Sequence, residues 1–287
     1  MKVFYPLTLI TLMSVISGCS TDTHKDPITV MSFNIRYDNP GDGVNAWKNR
    51  KDLAGRTILS EKAIIIGMQE VLKNQMADLD SLLPGYGHVG VGRGDGKEEG
   101  EYNPIFYDIN RFEILDQATF WLSPAPHDTG SIGWDAVLPR IVTWAKFLDQ
   151  QTDQNFYFIN THFDHMGDTA RVESAKLIMD FILKNTEGLP VILTGDFNSE
   201  PSDAPYHFIT GNNSAGFKLR DASQNLDVQQ NEPEGTFNGF GGTEPTIRID
   251  FIFLNNKGQI MNFKTVKARD GDIYISDHYP VAARISY

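Results

Sequence analysis

Thr29-Val30-Met31-Ser32-Phe33-Asn34-Ile35-Arg36 alternates side chains with the period of a β-strand and stops at a charge. It reads as the first strand of a core. Its ending is the informative part, because an amide and a guanidinium at the tip of an apolar element have no packing role. Downstream, 38–45 reads as a loop and 51–62 as a helix, and Ile64-Ile65-Ile66-Gly67-Met68 is an unbroken apolar run of strand length. Such a run predicts a strand buried on both faces, and it too ends in polar residues, Gln69-Glu70. Residues 74–83 read as a second helix closed by Pro84-Gly85, and the glycine-rich, charged stretch 90–100 reads as a mobile loop.

The middle of the chain is rich in strands, with candidates at 104–107, 112–121, 141–148 and 156–161 separated by turn residues. Val172, Ala175, Ile178, Met179, Ile182 and Leu183 recur at spacings of three and four, which predicts an amphipathic helix over 169–185. Val191-Ile192-Leu193 follows as a buried strand, then a short helix near Tyr206, and 249–254, 261–266 and 281–285 supply the last strands. Many strands, few helices and no regular βαβ period favour mixed or antiparallel sheets. The expected fold class is α/β: a four-layered sandwich of two packed mixed β-sheets flanked by helices.

Lys2, the apolar run 7–16 and the ending Ile16-Ser17-Gly18-Cys19 stand in the order of a secretory signal. The run is too short to span a bilayer, which needs about 20 apolar residues. Its ending resembles the lipobox of bacterial lipoproteins, in which the cysteine after the cut carries the lipid. The expectation is a signal peptide over 1–18, a tether over 19–27 lipidated at Cys19, and one domain over 28–287, anchored in the bacterial cell envelope on the periplasmic or outer-membrane surface. Cys19 is the only cysteine, so the chain can form neither an internal disulfide nor a thiolate metal cluster. The composition, 40% hydrophobic and 22% charged, is that of an ordinary globular domain. With 25 basic and 37 acidic residues the net charge is -12, and removal of Lys2 would make it -13. That balance disfavours tight binding of a long polyanion, which needs a basic face.

Taken singly, Gly195-Asp196-Phe197-Asn198 is a turn and Ser276-Asp277-His278 a surface loop. Taken together, Ser32-Phe33-Asn34-Ile35-Arg36, Gln69-Glu70, Asn160-Thr161-His162, Thr194-Gly195-Asp196-Phe197-Asn198, Arg248-Ile249-Asp250-Phe251 and Ser276-Asp277-His278-Tyr279-Pro280 resemble the endonuclease/exonuclease/phosphatase superfamily in order and approximate spacing. That superfamily includes pancreatic DNase, neutral sphingomyelinases, inositol polyphosphate 5-phosphatases and deadenylases such as nocturnin. The first and last segments look like those of secreted DNases, whereas the Thr161-His162-Phe163-Asp164-His165 run and Trp144-Ala145 look closer to the nocturnin-like branch. Abasic-site endonucleases carry an acid where this chain has Arg36, which argues against a repair role.

Phosphoryl transfer needs a cation for the oxyanions, an in-line water and a proton for the leaving oxygen. Glu70, a hard oxygen ligand at a strand end, is the leading candidate to hold Mg2+ or Mn2+. The resemblance implies that Asp277 and Asn34 complete or support that metal site and that Asp196 orients or deprotonates the attacking water, with Asn198 beside it holding water or phosphate. It further implies that His278 binds the scissile phosphate or moves a proton, with Asp250 fixing its tautomer, and that His162 is a second active-site histidine. Glu101 is expected as the partner of His162, Arg140 as a phosphate contact, and Asn34, Glu101 and Arg140 as the substrate-binding set. Asp164 and His165 fit either a pocket wall or an ordinary loop. Trp47, Trp121, Trp134 and Trp144 are assigned mainly to the core, and His24, His88, His127 and His207 to solvent.

The leading functional expectation is a metal-dependent phosphoric ester hydrolase outside the cytoplasm, a monomer acting on a sugar phosphate, lipid headgroup or nucleotide. The alternatives are a scavenging nuclease with 3′-5′ exonuclease or endonuclease activity, which would take nucleic acid as its partner, and a catalytically silent binding lipoprotein.

Overall fold

The computed structural model describes residues 1–3, 26–211, 216–224, 234–241 and 244–287. The apolar leader, Cys19 and most of the tether lie outside the described residues. Among the described residues no helix is long and apolar enough to cross a membrane.

The elements run β1 (Ile28–Asn34), α1 (Trp47–Glu61), β2 (Ile65–Gln69), α2 (Lys73–Leu82), β3 (Tyr86–Val89), β4 (Ile105–Asp108), β5 (Phe112–Trp121), β6 (Ile141–Asp149), β7 (Gln154–His162), α3 (Asp168–Asn185), β8 (Val191–Asp196) and α4 (Ala204–Thr210). They continue with β9 (Arg220–Asp221), β10 (Asp250–Leu254), β11 (Gln259–Thr265), β12 (Arg269–Asp270), β13 (Ile273–Tyr274) and β14 (Val281–Ser286). One sheet has the order β11-β14-β1-β2-β4-β3 and the other β5-β6-β7-β8-β10-β9. Each sheet is mixed, with one parallel pair, β1/β2 in the first and β7/β8 in the second. This is the expected sandwich.

The apolar runs are unbroken because successive side chains serve different layers. Val30, Ile65, Phe158, Ile192 and Ile252 fill the space between the sheets. Their neighbours Met31 and Ile66 face outward and pack with Ala54 and Ile58 of α1 and with Leu79 of α2. On the other sheet Ile159, Leu193 and Phe253 pack with Ile178 and Met179 of α3 and with Ile209 of α4. Each such side chain contributes about 1.5–3 kcal/mol when fully buried, and the period-two split yields three apolar interlayers and four layers in all.

At Gly67 the sheets approach closely. A Cβ there would lie 2.1 Å from Thr194 Oγ1 and 2.5 Å from Asn160 Oδ1, so only glycine fits. The same place holds a polar bracket. Asn160 Nδ2 donates to Met68 O (2.6 Å) and Pro104 O (3.0 Å), while its Oδ1 accepts from Gln69 Nε2 (2.7 Å) and Thr194 Oγ1 (3.1 Å). Asn160 therefore ties β7 of one sheet to β2 and the approach to β4 of the other.

Three local expectations change. The first helix begins at Trp47, one turn before the predicted start. The 90–100 stretch is a hydrogen-bonded turn, in which Asp95 Oδ1 accepts from the amides of Lys97, Glu98 and Glu99 and Gly92 bridges to Tyr102. The two-residue strands β9, β12 and β13 are too short to leave a periodicity in the sequence.

Candidate active site

Parallel strands end at the same edge of a sheet, and the register exploits this. In the first sheet Asn34 lies opposite Gln69. In the second His162 lies opposite Asp196, and antiparallel β10 sets Asp250 opposite Asp196 on its other side. The two edges meet around a cleft of about 690 Å3 whose walls include Glu70, Arg140, His162, Asp196, Asp277 and His278. Just past three strand ends the backbone turns into the left-handed region at non-glycine residues: Arg36 (φ 56°), Glu70 (φ 63°) and Asn198 (φ 44°). All three line the cleft. Strain of this kind costs on the order of 1–3 kcal/mol per residue and gathers where function over-determines the backbone.

Asn34 is the joint between the sheets at this edge. Its Nδ2 donates to Glu70 Oε1 at 3.0 Å and to Asp196 Oδ2 at 2.9 Å, and its Oδ1 accepts from Arg36 N at 2.9 Å. The side chain is fully buried and both ends of its amide are occupied. Asn34 was expected to complete or support a metal site and to contact substrate; in the structure its amide orients the carboxylates of Glu70 and Asp196.

Asp196 Oδ2 is the centre of the arrangement, 3.5 Å from His162 Nε2 and 3.7 Å from His278 Nε2. Burial and the nearby charge of Asp250 push the Asp196 carboxyl up to about 7, against the pull of His278 and the donors Asn198 N and Asn34. His278 Nδ1 pairs with Asp250 Oδ2 at 2.9 Å. Burial disfavours the His278 cation, but Asp250 and Asp196 outweigh it and raise the imidazole well above its usual range. His162 goes the opposite way, lowered by burial and by the Arg140 and Arg93 guanidiniums. The two imidazoles facing one carboxylate are therefore pushed in opposite directions, His278 toward the cation and His162 toward the neutral ring. Asn198 Nδ2 lies 3.1 Å from His162 Nε2 and donates to Phe163 O at 3.0 Å.

At the other end of the cleft Glu70 Oε2 accepts from Tyr37 N at 3.1 Å, and Arg36 reaches Glu70 at 4.0 Å and Asp277 at 3.6 Å. Burial raises the Asp277 carboxyl, and the negative charge of Glu70 adds to the rise. Two crowded carboxylates of hard oxygen character suit a divalent cation, which would relieve that repulsion. Ligand atoms of Glu70, His162 and Asp196 also lie within 4.8 Å of one another, as do those of Asp196, Asp250 and His278. Ser276 Oγ donates to Asn34 O at 2.8 Å and accepts from His278 N at 3.2 Å, which pins the loop bearing Asp277 and His278 to β1.

Glu101 lines the cleft, but its partner is Arg93, with Nη1 to Oε2 at 2.8 Å and Nη2 to Oε1 at 2.9 Å, which corrects the expected pairing with His162. Arg140 also lines the cleft, with Nη1 buried and unpartnered among the described residues. Arg50 was missed altogether. It is fully buried and donates to the carbonyls of Asn45 (2.8 Å), Ile35, Arg36 (2.7 Å) and Ile275 (3.3 Å), so it clamps the strained turn at Arg36 to the segment leading into Asp277. Burial brings its guanidinium down to about 10. Next to Lys51 it reads as a surface charge, and only the four-carbonyl cage distinguishes it. His88, expected to be solvated and alone, pairs with Asp80 at 2.9 Å. The four tryptophans stand apart from the residues lining the cleft.

The structure is similar to that of an endonuclease/exonuclease/phosphatase from Bacteroides vulgatus, 41% identical with a TM-score of 0.85, the match covering 91% of this chain and 99% of that one. It is also similar to a mannosyl-6-phosphatase from Bacteroides thetaiotaomicron, 35% identical with a TM-score of 0.82, covering 91% of this chain and all of that one. In sequence, an uncharacterized protein of Acanthamoeba polyphaga mimivirus is 29% identical over 253 residues, 83% of this chain and 91% of the relative. The family model described as Endonuclease/Exonuclease/phosphatase family matches residues 31–278, from β1 to the histidine paired with Asp250, and this chain belongs to that family.

Proposed function

We propose that the chain is a divalent-metal-dependent hydrolase of a small phosphorylated compound, with a sugar phosphate foremost and Mg2+ or Mn2+ as the ion. The observation that carries the reading is the meeting of Asp196 with His278 and His162, at 3.7 and 3.5 Å, in a cleft of about 690 Å3 that Glu70 and Asp277 also line. The cleft is not a track for a polyanion. Beside Arg36 and Arg140 its walls carry Glu101, Glu200 and Asp203, and acids on the rim repel a nucleic-acid backbone. The likeness to a sugar phosphatase at 35% identity points the same way.

Glu70 and Asp277 would hold the ion, with Asn34 and Tyr37 N fixing Glu70. The bound ion supplies charge neutralisation at the phosphoryl oxygens. Asp196 accepts a proton from the attacking water. His278, kept cationic by Asp250 and Asp196, binds a phosphoryl oxygen and supports the leaving oxygen. Asn198 and Arg140 hold the remaining oxygens. The enzyme works outside the cytoplasm, held to the cell envelope by a lipid on Cys19, a reading supported by the order Lys2, apolar run, Ser17-Gly18-Cys19.

The test is phosphate release by the purified protein, with Mg2+ or Mn2+ and then with chelator, from sugar monophosphates, inositol phosphates, sphingomyelin, single-stranded RNA and duplex DNA. Chelator-sensitive release from a small monoester with the polymers untouched is the expected result. Preferential cleavage of a polymer would make the protein a nuclease, and silence across the panel would leave a binding protein.

A further inference from the structure

Asp164 and His165 immediately follow the strand-end histidine and its neighbour Phe163, and nothing in the mechanism above uses them. The Asp164 carboxylate is buried and divided between two tasks. Its Oδ1 accepts from Met166 N (3.0 Å) and Gly167 N (2.8 Å), closing the turn ahead of α3. Its Oδ2 accepts from Val137 N (3.3 Å) and meets Arg140 Nε at 3.4 Å. His165 stands exposed on the cleft wall, and its Nδ1 lies 3.0 Å from Arg140 Nη2. A guanidinium can only donate, so Nδ1 is the acceptor and the ring proton sits on Nε2. Arg140 is 4% exposed, and its third nitrogen, Nη1, has no partner among the described residues although the residue lines the cleft.

We propose that His165 is a positioning residue for phosphoryl recognition: through Nδ1 it locks the guanidinium plane of Arg140 so that Nη1 is presented to an anionic oxygen of the substrate. The inference rests on the reading of the cleft as a phosphate-binding site. The contact between Asp164 and Arg140 Nε is long and touches one corner of the guanidinium. His165 holds a second corner. A planar donor fixed at two corners loses less entropy when it captures an oxyanion. The Arg140 donor thus sets affinity for the phosphoryl group, and His165 sets the quality of that donor.

The variants His165→Asn and His165→Gln separate positioning from direct contact, because the asparagine amide oxygen falls near Nδ1 and the glutamine amide falls near Nε2. The measurements are the affinity for inorganic phosphate in the presence of Mg2+, the KM and kcat for a monoester, and 15N relaxation of the Arg140 guanidinium. His165→Ala is expected to make the guanidinium mobile, to weaken phosphate binding and raise KM roughly tenfold, and to leave kcat within about twofold. His165→Asn is expected to restore rigidity and affinity, and His165→Gln to behave like alanine. An unchanged guanidinium in His165→Ala overturns the proposal, as does rescue by glutamine but not asparagine, which would put His165 on the substrate itself. The relaxation measurement needs no ligand. A wild-type protein that binds no phosphate would overturn the phosphate reading of the cleft, and phosphoryl recognition with it, while the change in Arg140 mobility still decides whether His165 holds the guanidinium.

Discussion

Asp250 Oδ2 and His278 Nδ1 are joined at 2.9 Å, and the same imidazole presents Nε2 to Asp196 Oδ2 at 3.7 Å. Asp250 therefore acts on two titrating groups at once. Its charge helps keep His278 protonated, and it helps hold the Asp196 proton up to about pH 7.

Replacing Asp250 by Asn removes a cause that raises both values, so both fall. The acid limb of the rate profile, which needs ionised Asp196, moves to lower pH. The alkaline limb, which needs the His278 cation, moves the same way. The profile of kcat/KM against pH should shift as a whole toward acid, with its maximum reduced roughly 10²-fold. An unmoved profile would remove Asp250 from this role.

Glu70→Gln discards the charge and keeps the side-chain shape, with one oxygen left to serve either the Asn34 or the Tyr37 donor. Turnover should fall on the order of 10³-fold, about 4 kcal/mol of barrier, and Mn2+ binding followed by calorimetry should weaken in parallel. The melting temperature should stay near wild type. Normal metal affinity in this variant would move the ion elsewhere.

Asn160→Ala deletes the bracket between the sheets, removes the side-chain donor to Met68 O and leaves Pro104 O with Met68 N alone. The expected loss is about 1–3 kcal/mol of stability, the cost of one buried acceptor losing its side-chain donor, read as a lower midpoint in urea denaturation. A midpoint within error of wild type would mean that water repairs the gap.

Cys19→Ser should release the full chain from membranes and leave its hydrolytic rate unchanged. Continued sedimentation with membranes after a salt wash would end the lipid-anchor reading.

The sandwich was legible because its runs obey one physical rule. Ile65-Ile66 and Val191-Ile192-Leu193 are apolar at every step since alternate residues enter different layers. The strand-end residues were legible as well, for Asn34 and Asp196 sit where an apolar element has no use for them, and His278 was legible through its run Ser276-Asp277-His278 in the loop ahead of β14. What the sequence did not disclose were partners. Glu101 is as close in sequence to Arg93 as many residues are to others they never touch, and its pairing follows from the turn built on Asp95. Arg50 binds carbonyls rather than carboxylates, and carbonyls carry no residue identity. The amide of Asn34 could be a ligand or a strut, and only the directions of its bonds decide.

The contact between Asn34 and Asp196 spans 162 residues of chain, and the one between Ser276 and Asn34 spans 242. The first cannot form until both sheets exist and have docked, the second waits on the C-terminal strand β14 joining β1, and pairings of such long range are among the slow steps of folding. A half-folded chain with one finished sheet owns Glu70 or Asp196, but not the joint that aligns them. Catalysis is therefore a late reporter. During refolding, turnover should lag behind the recovery of secondary structure and coincide with the last closure of the two halves.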